Sequence, residues 1–385
     1  MNVLYYTWNE NSQNDMTDTL RAFGFNVTEC SIPFCDYEKD DAFVTRLNNA
    51  ITSSSCDFIF SFDFFPMIAR VSRERKIKYV SWVYDSPHYT LFSPAADSEY
   101  SYIFVFDRVL YQELVCRGVP HVFHFPLAVN TGRLNRQLGG LNDDIEYRND
   151  ISFVGSLYEN NLYDKINYLP ERLRGYIDGI MASQKMVYGY NFVRELIAGD
   201  ITGQLEEYVK MNFDPSYRIG DDVLYSDMIN QKITSQERIS ALRRLSARYP
   251  LTLYTASDAS LVPDAKSGGT VSYMTGMPDV FRKSKINLNI TLRSIESGMP
   301  LRALDIMGAG GFLLSNYQEE LAANFVNGEE LVLYNSEEDM IEKAEYYFNH
   351  EDERKRIAYR GYQKTCELFS YEKQVTGILK AAEIK

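Results

Sequence analysis

The stretch INLNITLRSIESGMPLRALDIMGAGGFLLSNY, residues 286–317, decides the fold of this chain. It opens on an apolar strand over 286–291 and runs into a polar loop holding Arg293, Glu296 and Gly298. Pro300 suits a helix start, where its missing N–H costs nothing, and the short helix that follows carries Arg302 and Asp305. Gly308, Gly310 and Gly311 end it, and a second strand follows over 312–315. A loop and helix N-terminus just past a strand gather N–H groups and the positive end of a dipole, so they bind anions. Arg302 can grip a phosphate through two N–H bonds. Asp305 can accept both hydroxyls of a ribose. Diphosphate with ribose specifies a nucleotide, and late in a two-domain α/β chain it suggests a nucleotide-sugar donor.

At 385 residues the chain is long for one core, so two domains are expected. Hydrophobic residues make up 45% and charged residues 24%, ordinary values for a globular protein. The net charge of −13 disfavours nucleic acid and anionic membranes as partners. Cys30, Cys35, Cys56, Cys116 and Cys366 form no CxxC pair and are odd in number, so neither a disulfide framework nor a zinc site is expected. Asp40-Asp41, Asp143-Asp144 and Asp221-Asp222 lie in polar stretches and read as solvated charge, so no metal site is expected. Met1 leads straight into the strand NVLYYTW, and no apolar run approaches the roughly 20 residues of a membrane span. A soluble, cytoplasmic protein is the expectation.

Outward from the opening stretch, short apolar strands alternate with amphipathic helices. Strands are expected over 3–8, 58–62, 78–84, 103–106 and 122–125, with helices over 14–23, 42–52, 67–76 and 109–117 between them. Strands spaced by helices imply right-handed βαβ units and a parallel sheet. The polar stretch 131–149 reads as an interdomain linker. A second set of strands is expected over 150–157, 251–255, 286–291, 312–315 and 331–334. Between the first two of these, residues 160–248 lack strand signals, and the helical spacing of Leu169, Leu173, Ile177 and Ile180 marks a helical insertion. Ser336 suits an N-cap ahead of Glu337, Glu338 and Asp339. Further helices follow over 352–368 and 371–382. The expected architecture is α/β: two facing Rossmann-like parallel-sheet domains, 1–140 and 150–368, with a final helix in 371–385 returning towards the first.

The pattern Arg302-x-x-Asp305 with its glycine run and following strand resembles the donor motif of GT-B glycosyltransferases. Downstream, Gly328-Glu329-Glu330, Glu337-Glu338, Arg354, Gly361 and Phe369-Ser370-Tyr371 fit the same order. So do Trp82-Val83-Tyr84-Asp85-Ser86-Pro87, Phe125-Pro126-Leu127-Ala128 and Phe153-Val154-Gly155-Ser156-Leu157. The chain is similar above all to the CgeB-like, spore-maturation type group, with a group 1 glycosyltransferase C-terminal domain. The resemblance spans most of the chain, with a gap over about 160–250. It implies a GT-B fold and a hexosyl or related transferase using a nucleoside diphosphate sugar, a UDP-sugar favoured. The acceptor would be a hydroxyl on a protein or glycan, with neither metal nor separate cofactor.

Donor contacts are expected from Gly155, Ser156, Arg293, Glu296, Arg302, Asp305 and Gly310. In related retaining enzymes two glutamates stand eight residues apart; here Asp305 takes the second place and Ser297 the first, with Glu296 adjacent. That departure leaves open a non-catalytic nucleotide-sugar-binding protein, and a GT-B-like nucleotide-sugar epimerase is a further alternative. Gly155-Ser156 is not a GxGxxG fingerprint and no Walker lysine follows it. In the first domain Asp85 and His88 follow a strand at the edge where open α/β sheets bind ligands. Either could deprotonate an acceptor hydroxyl. Asp107 suits a helix cap.

Overall fold

The computed structural model describes residues 1–141 and 145–384; the Asp143-Asp144 pair and part of the 131–149 stretch fall outside the described residues. Six strands make the first sheet: β1 Asn2–Tyr6, β2 Asn26–Cys30, β3 Phe58–Phe62, β4 Lys78–Val83, β5 Ser101–Val105 and β6 Val122–His124. Six more make the second: β7 Asn149–Val154, β8 Leu251–Tyr254, β9 Lys266–Gly269, β10 Ser284–Asn289, β11 Leu313–Asn316 and β12 Val332–Tyr334. All pairings in both are parallel. The strand orders are β2-β1-β3-β4-β5-β6 and β12-β11-β10-β7-β8-β9. Parallel strands covered on both faces read as unbroken apolar runs, which is why every residue of β3, FIFSF, and β5, SYIFV, is buried.

The chain divides into two compact units. The first holds Met1–Leu127, a short return at Asn212–Ile219, and the segment from Tyr371 onward. Its last helix, Tyr371–Ala381, packs on the helix Gln13–Ala22. There the Tyr371 ring lies against Trp82, and its hydroxyl meets that of Tyr84 at 2.8 Å. The second unit holds Ala128–Met211 and Gly220–Ser370. The division at Leu127 falls before the polar stretch read as a linker. That stretch contains a helix, Thr131–Leu138, capped by Asn130, and its Leu134 is buried. Two leucines four apart, Leu134 and Leu138, in a short polar octet make one turn of pattern, too little to be read as a helix from sequence.

Residues 160–248 form helices Glu171–Gln184, Val193–Ile197, Asp200–Glu206 and Asp221–Ser246 around a core of their own, including Leu169, Leu173, Ile177 and Ile180. The return at Asn212–Ile219 had no sequence signal. Phe213 packs edge-on to Tyr89, and Arg218 pairs with Asp97 at 2.8 Å. No helix among the described residues is long and apolar enough to cross a membrane.

Candidate active site

In open α/β sheets, ligands bind beyond the strand C-termini where the strand order reverses. In the second sheet β7 and β10 are neighbours, and the next strands in sequence run off to opposite sides. The crevice there lies between Gly155-Ser156, after β7, and the loop after β10. A Cβ on Gly155 would sit 3.3 Å from the Phe153 ring, so a larger residue crowds this turn. The β10 loop is tied down at both ends. The Thr291 amide donates to Asn316 Oδ1 at 2.7 Å and Gln318 Nε2 donates to the Ile295 carbonyl at 2.9 Å. From the loop rises the helix Leu301–Gly308, whose N-terminus has no side-chain cap.

Arg238, from the long helix Asp221–Ser246, spans the crevice. It donates to the Ser156 carbonyl at 2.6 Å and twice to the Ile290 carbonyl, at 3.1 and 2.5 Å. Its guanidinium lies 5.1 Å from the Tyr158 ring. Burial lowers its pKa, and the charge of Arg302 pushes the same way. Two mutually repelling cations beside a helix N-terminus are arranged for an anion to join them. Sequence reading missed Arg238. Its signal was available: it stands four and seven residues before Leu242 and Leu245, so an arginine occupies the apolar stripe of that helix.

Arg302 is half-buried, 3.4 Å from Asp305 and 5.5 Å from the Phe281 ring. Asp305 is buried, and its Oδ1 accepts from the Tyr273 hydroxyl at 3.1 Å. Glu296 stands in the same loop, within electrostatic reach of Tyr190. Replacing Asp305 with Ala is expected to weaken nucleoside diphosphate binding by about 10–150-fold, the loss of one hydrogen bond to a charged acceptor. Calorimetric titration of the folded variant checks this, and an unchanged Kd removes the ribose role.

Two expected donor residues are placed elsewhere. Arg293 was expected on the diphosphate, but it is only 8% exposed and wholly engaged. Its Nε donates to Glu237 at 2.8 Å, its Nη2 pairs with the same carboxylate, and its Nη1 donates to the Val187 carbonyl at 2.9 Å. Burial alone would lower its pKa; Glu237 more than offsets this and raises it. Arg293 therefore pins the loop from below. Changing it to Gln leaves Glu237 buried and unpaired, so a loss of about 3–5 kcal/mol in unfolding free energy is expected by denaturant titration. Gly310 was expected near the phosphates. It lies past the C-terminus of an eight-residue helix, about 12 Å from the N-terminus that faces the crevice. Its φ of 75° and the nearby Arg282 explain the glycine: a Cβ there would collide with the guanidinium.

In the first unit, Asp63 follows β3, while Asp85 and His88 follow β4. Ligand atoms of the three lie within 4.8 Å of one another, and among the described residues they form the single such group able to hold a metal ion. Asp63 is held in left-handed backbone, φ 57°. Its carbonyl accepts from the hydroxyls of Ser61, Tyr79 and Ser81 at 2.8, 3.3 and 2.9 Å. Its carboxylate accepts from the Tyr84 amide at 3.0 Å and lies 4.0 Å from His88 Nδ1. His88 Nε2 faces the Phe64 backbone, 3.3 Å from its N–H and 3.4 Å from its carbonyl. Both ring nitrogens thus have neighbours, which suits orientation better than proton abstraction. Asp85 is exposed at its surface, with Asp63 and His88 close on its inner side. Its pKa is raised, first by burial and then by the charge of Asp63, with His88 opposing. Asp63 escaped the sequence reading, although a lone acid in the apolar run FIFSFDFFP was its signal. Asp107 caps the helix Arg108–Cys116, accepting from the Val109 amide at 3.0 Å.

Comparisons with known proteins bear on the fold and on the second unit. Residues 236–380 match a family model described as glycosyl transferase-like, a span that includes Arg238, Arg302 and Asp305. No curated protein sequence matches the chain. Among solved structures, the chain is similar to Anabaena HepE in complex with UDP and glucose, with a TM-score of 0.57, 10% identity, and coverage of 99% of this chain and 100% of that one. It is similar to the sucrose-phosphate synthase of Thermosynechococcus elongatus, with a TM-score of 0.54, 9% identity, and coverage of 100% and 98%. A glycosyltransferase from Rickettsia africae gives a TM-score of 0.52 at 10% identity, covering 99% and 97%. The fold is GT-B, with two Rossmann-like domains. The matched domain and the fold support a transferase enzyme working in glycosyl transfer.

Proposed function

We propose that the chain moves a sugar from a nucleoside diphosphate sugar, a UDP-sugar favoured, to a hydroxyl on a glycan or protein acceptor. The observation that carries this is the crevice at the β7–β10 switch, where Arg238, Arg302, Asp305 and an uncapped helix N-terminus converge. The guanidinium groups and the helix N-terminus meet the charge that develops on the departing diphosphate. Asp305 holds the ribose. HepE, solved with UDP and glucose, supports the choice of uridine. Asp85 of the first unit serves as the base for the acceptor hydroxyl, and His88 and Asp63 set its position and pKa. We further propose that the chain is of the CgeB-like, spore-maturation type group.

The test is nucleotide release from a panel of nucleoside diphosphate sugars, with and without candidate acceptors and in the presence of a chelator. Acceptor-dependent UDP release that survives chelation is expected. Epimerised sugar without release would instead indicate an epimerase. Tight binding with neither outcome would indicate a non-catalytic binding protein.

A further inference from the structure

The second unit has a basic cavity that the donor reading leaves unused. It opens at the N-terminal edge of the second sheet, beside Ser284 at the start of β10 and the turn Gly310-Gly311 before β11. Its volume is about 60 Å³, room for one small polyatomic ion and too little for a nucleotide. Four basic side chains line it: Arg282, Lys285, Arg354 and Lys355.

Arg354 is the informative member. It is 1% exposed, and among its nitrogens only Nη1 is satisfied, donating to the Tyr347 carbonyl at 2.7 Å. Its Nε and Nη2 have no hydrogen-bond partner. Glu351 Oε2, at 3.9 Å from Nη2, is beyond hydrogen-bond reach and half exposed. The Tyr147 ring lies 5.5 Å from the guanidinium carbon. A buried guanidinium with two idle donors is costly unless something accepts from them. Among the described residues, the carboxylates close by are already shared. Asp150 pairs with Lys285 at 2.6 Å and Glu351 with Lys355 at 2.8 Å. Arg354 and Lys355 stand near the start of the helix Glu351–Leu368, whose dipole adds positive potential.

We propose that this cavity binds one small oxyanion of the phosphate class, either free phosphate or the phosphoryl group of a monoester. Arg354 supplies two fixed N–H donors from inside. Lys285 and Lys355, paired at the rim with Asp150 and Glu351, add positive charge that an entering anion can share. The site is distinct from the donor crevice, which lies at the opposite edge of the same sheet.

The experiment is thermal unfolding of the full chain titrated with inorganic phosphate, and separately with glycerol phosphate, at constant ionic strength in chloride. A saturable rise in Tm is expected. The apparent Kd should rise about tenfold in Lys285→Ala and in Lys355→Ala, and saturation should disappear in Arg354→Gln. Arg302→Ala should leave the phosphate Kd unchanged. Saturation by glycerol phosphate as well identifies a monoester site, and by inorganic phosphate alone a site for the free ion. No saturable rise overturns the proposal, since water then satisfies Arg354. Binding that is indifferent to both lysine variants and lost in Arg302→Ala also overturns it, placing the ion in the donor crevice. The lysine variants keep the test decisive if Arg354→Gln does not fold.

Discussion

Replacing Asp85 with Asn is expected to lower turnover by about 10²–10⁴-fold while leaving nucleotide affinity nearly unchanged. The carboxyl is raised above the ordinary range by burial and by Asp63, which brings a carboxylate closer to the pKa that suits a base at neutral pH. The sign of the pH dependence follows. The base works only when ionised, so the wild-type rate should climb as pH rises through the raised pKa, and the variant should lose that limb. Stability runs the other way. A carboxyl whose folded pKa is raised costs stability once pH exceeds that value, because the folded state then holds a charge it disfavours. Asp85→Asn should therefore have a Tm at pH 8 no lower than wild type. A variant that loses Tm and donor affinity together would mark Asp85 as structural. His88→Ala should cost stability as well as rate, since His88 also contacts the Phe64 backbone.

The second large effect concerns Arg238. Arg238→Ala removes a cation and also unties the carbonyl ends of β7 and β10, which Arg238 joins. A fall of about 10²–10³-fold in kcat is expected, typical of losing one preorganised group facing developing charge. Arg238→Lys separates the two contributions. Lysine keeps the charge but cannot bridge two carbonyls with a planar fork, so it should recover part of the affinity and little of the rate. Recovery of full rate by Lys would show that charge alone matters. An Arg238→Ala variant with wild-type kcat would move the diphosphate away from this crevice.

The sequence made the central strands legible because they are apolar and buried on both faces. It hid two of the four edge strands, β2 and β9, for the opposite reason. β2, NVTEC, is mostly exposed. β9, KSGG, is exposed throughout, and Gly268 lies under the Tyr254 ring, where a Cβ would collide. Neither shows an apolar run, because their side chains face solvent, whereas the other two edge strands, β6 and β12, keep buried apolar residues and were legible. The candidate site was legible where side chain and helix start share one short stretch, as Arg302 and Asp305 do. It was obscure where long-range packing decides the partner. Arg293 and Arg238 are both arginines near the crevice, yet Glu237 captures Arg293 and leaves Arg238 to the strand ends. Both assignments depend on the helix Asp221–Ser246, which lies far from the donor loop in sequence. Gly310 was misplaced because a glycine run beside a donor motif reads as a phosphate loop, whereas here it ends the helix at its far pole.

The most direct test is a crystal structure of the chain soaked with UDP. The account predicts phosphate oxygens within about 3.2 Å of Arg238 or Arg302 nitrogens and of the amides at the start of the helix Leu301–Gly308, with both ribose hydroxyls on Asp305. A diphosphate bound away from the β7–β10 crevice, with Asp305 still bonded to Tyr273 and untouched by ribose, would contradict it.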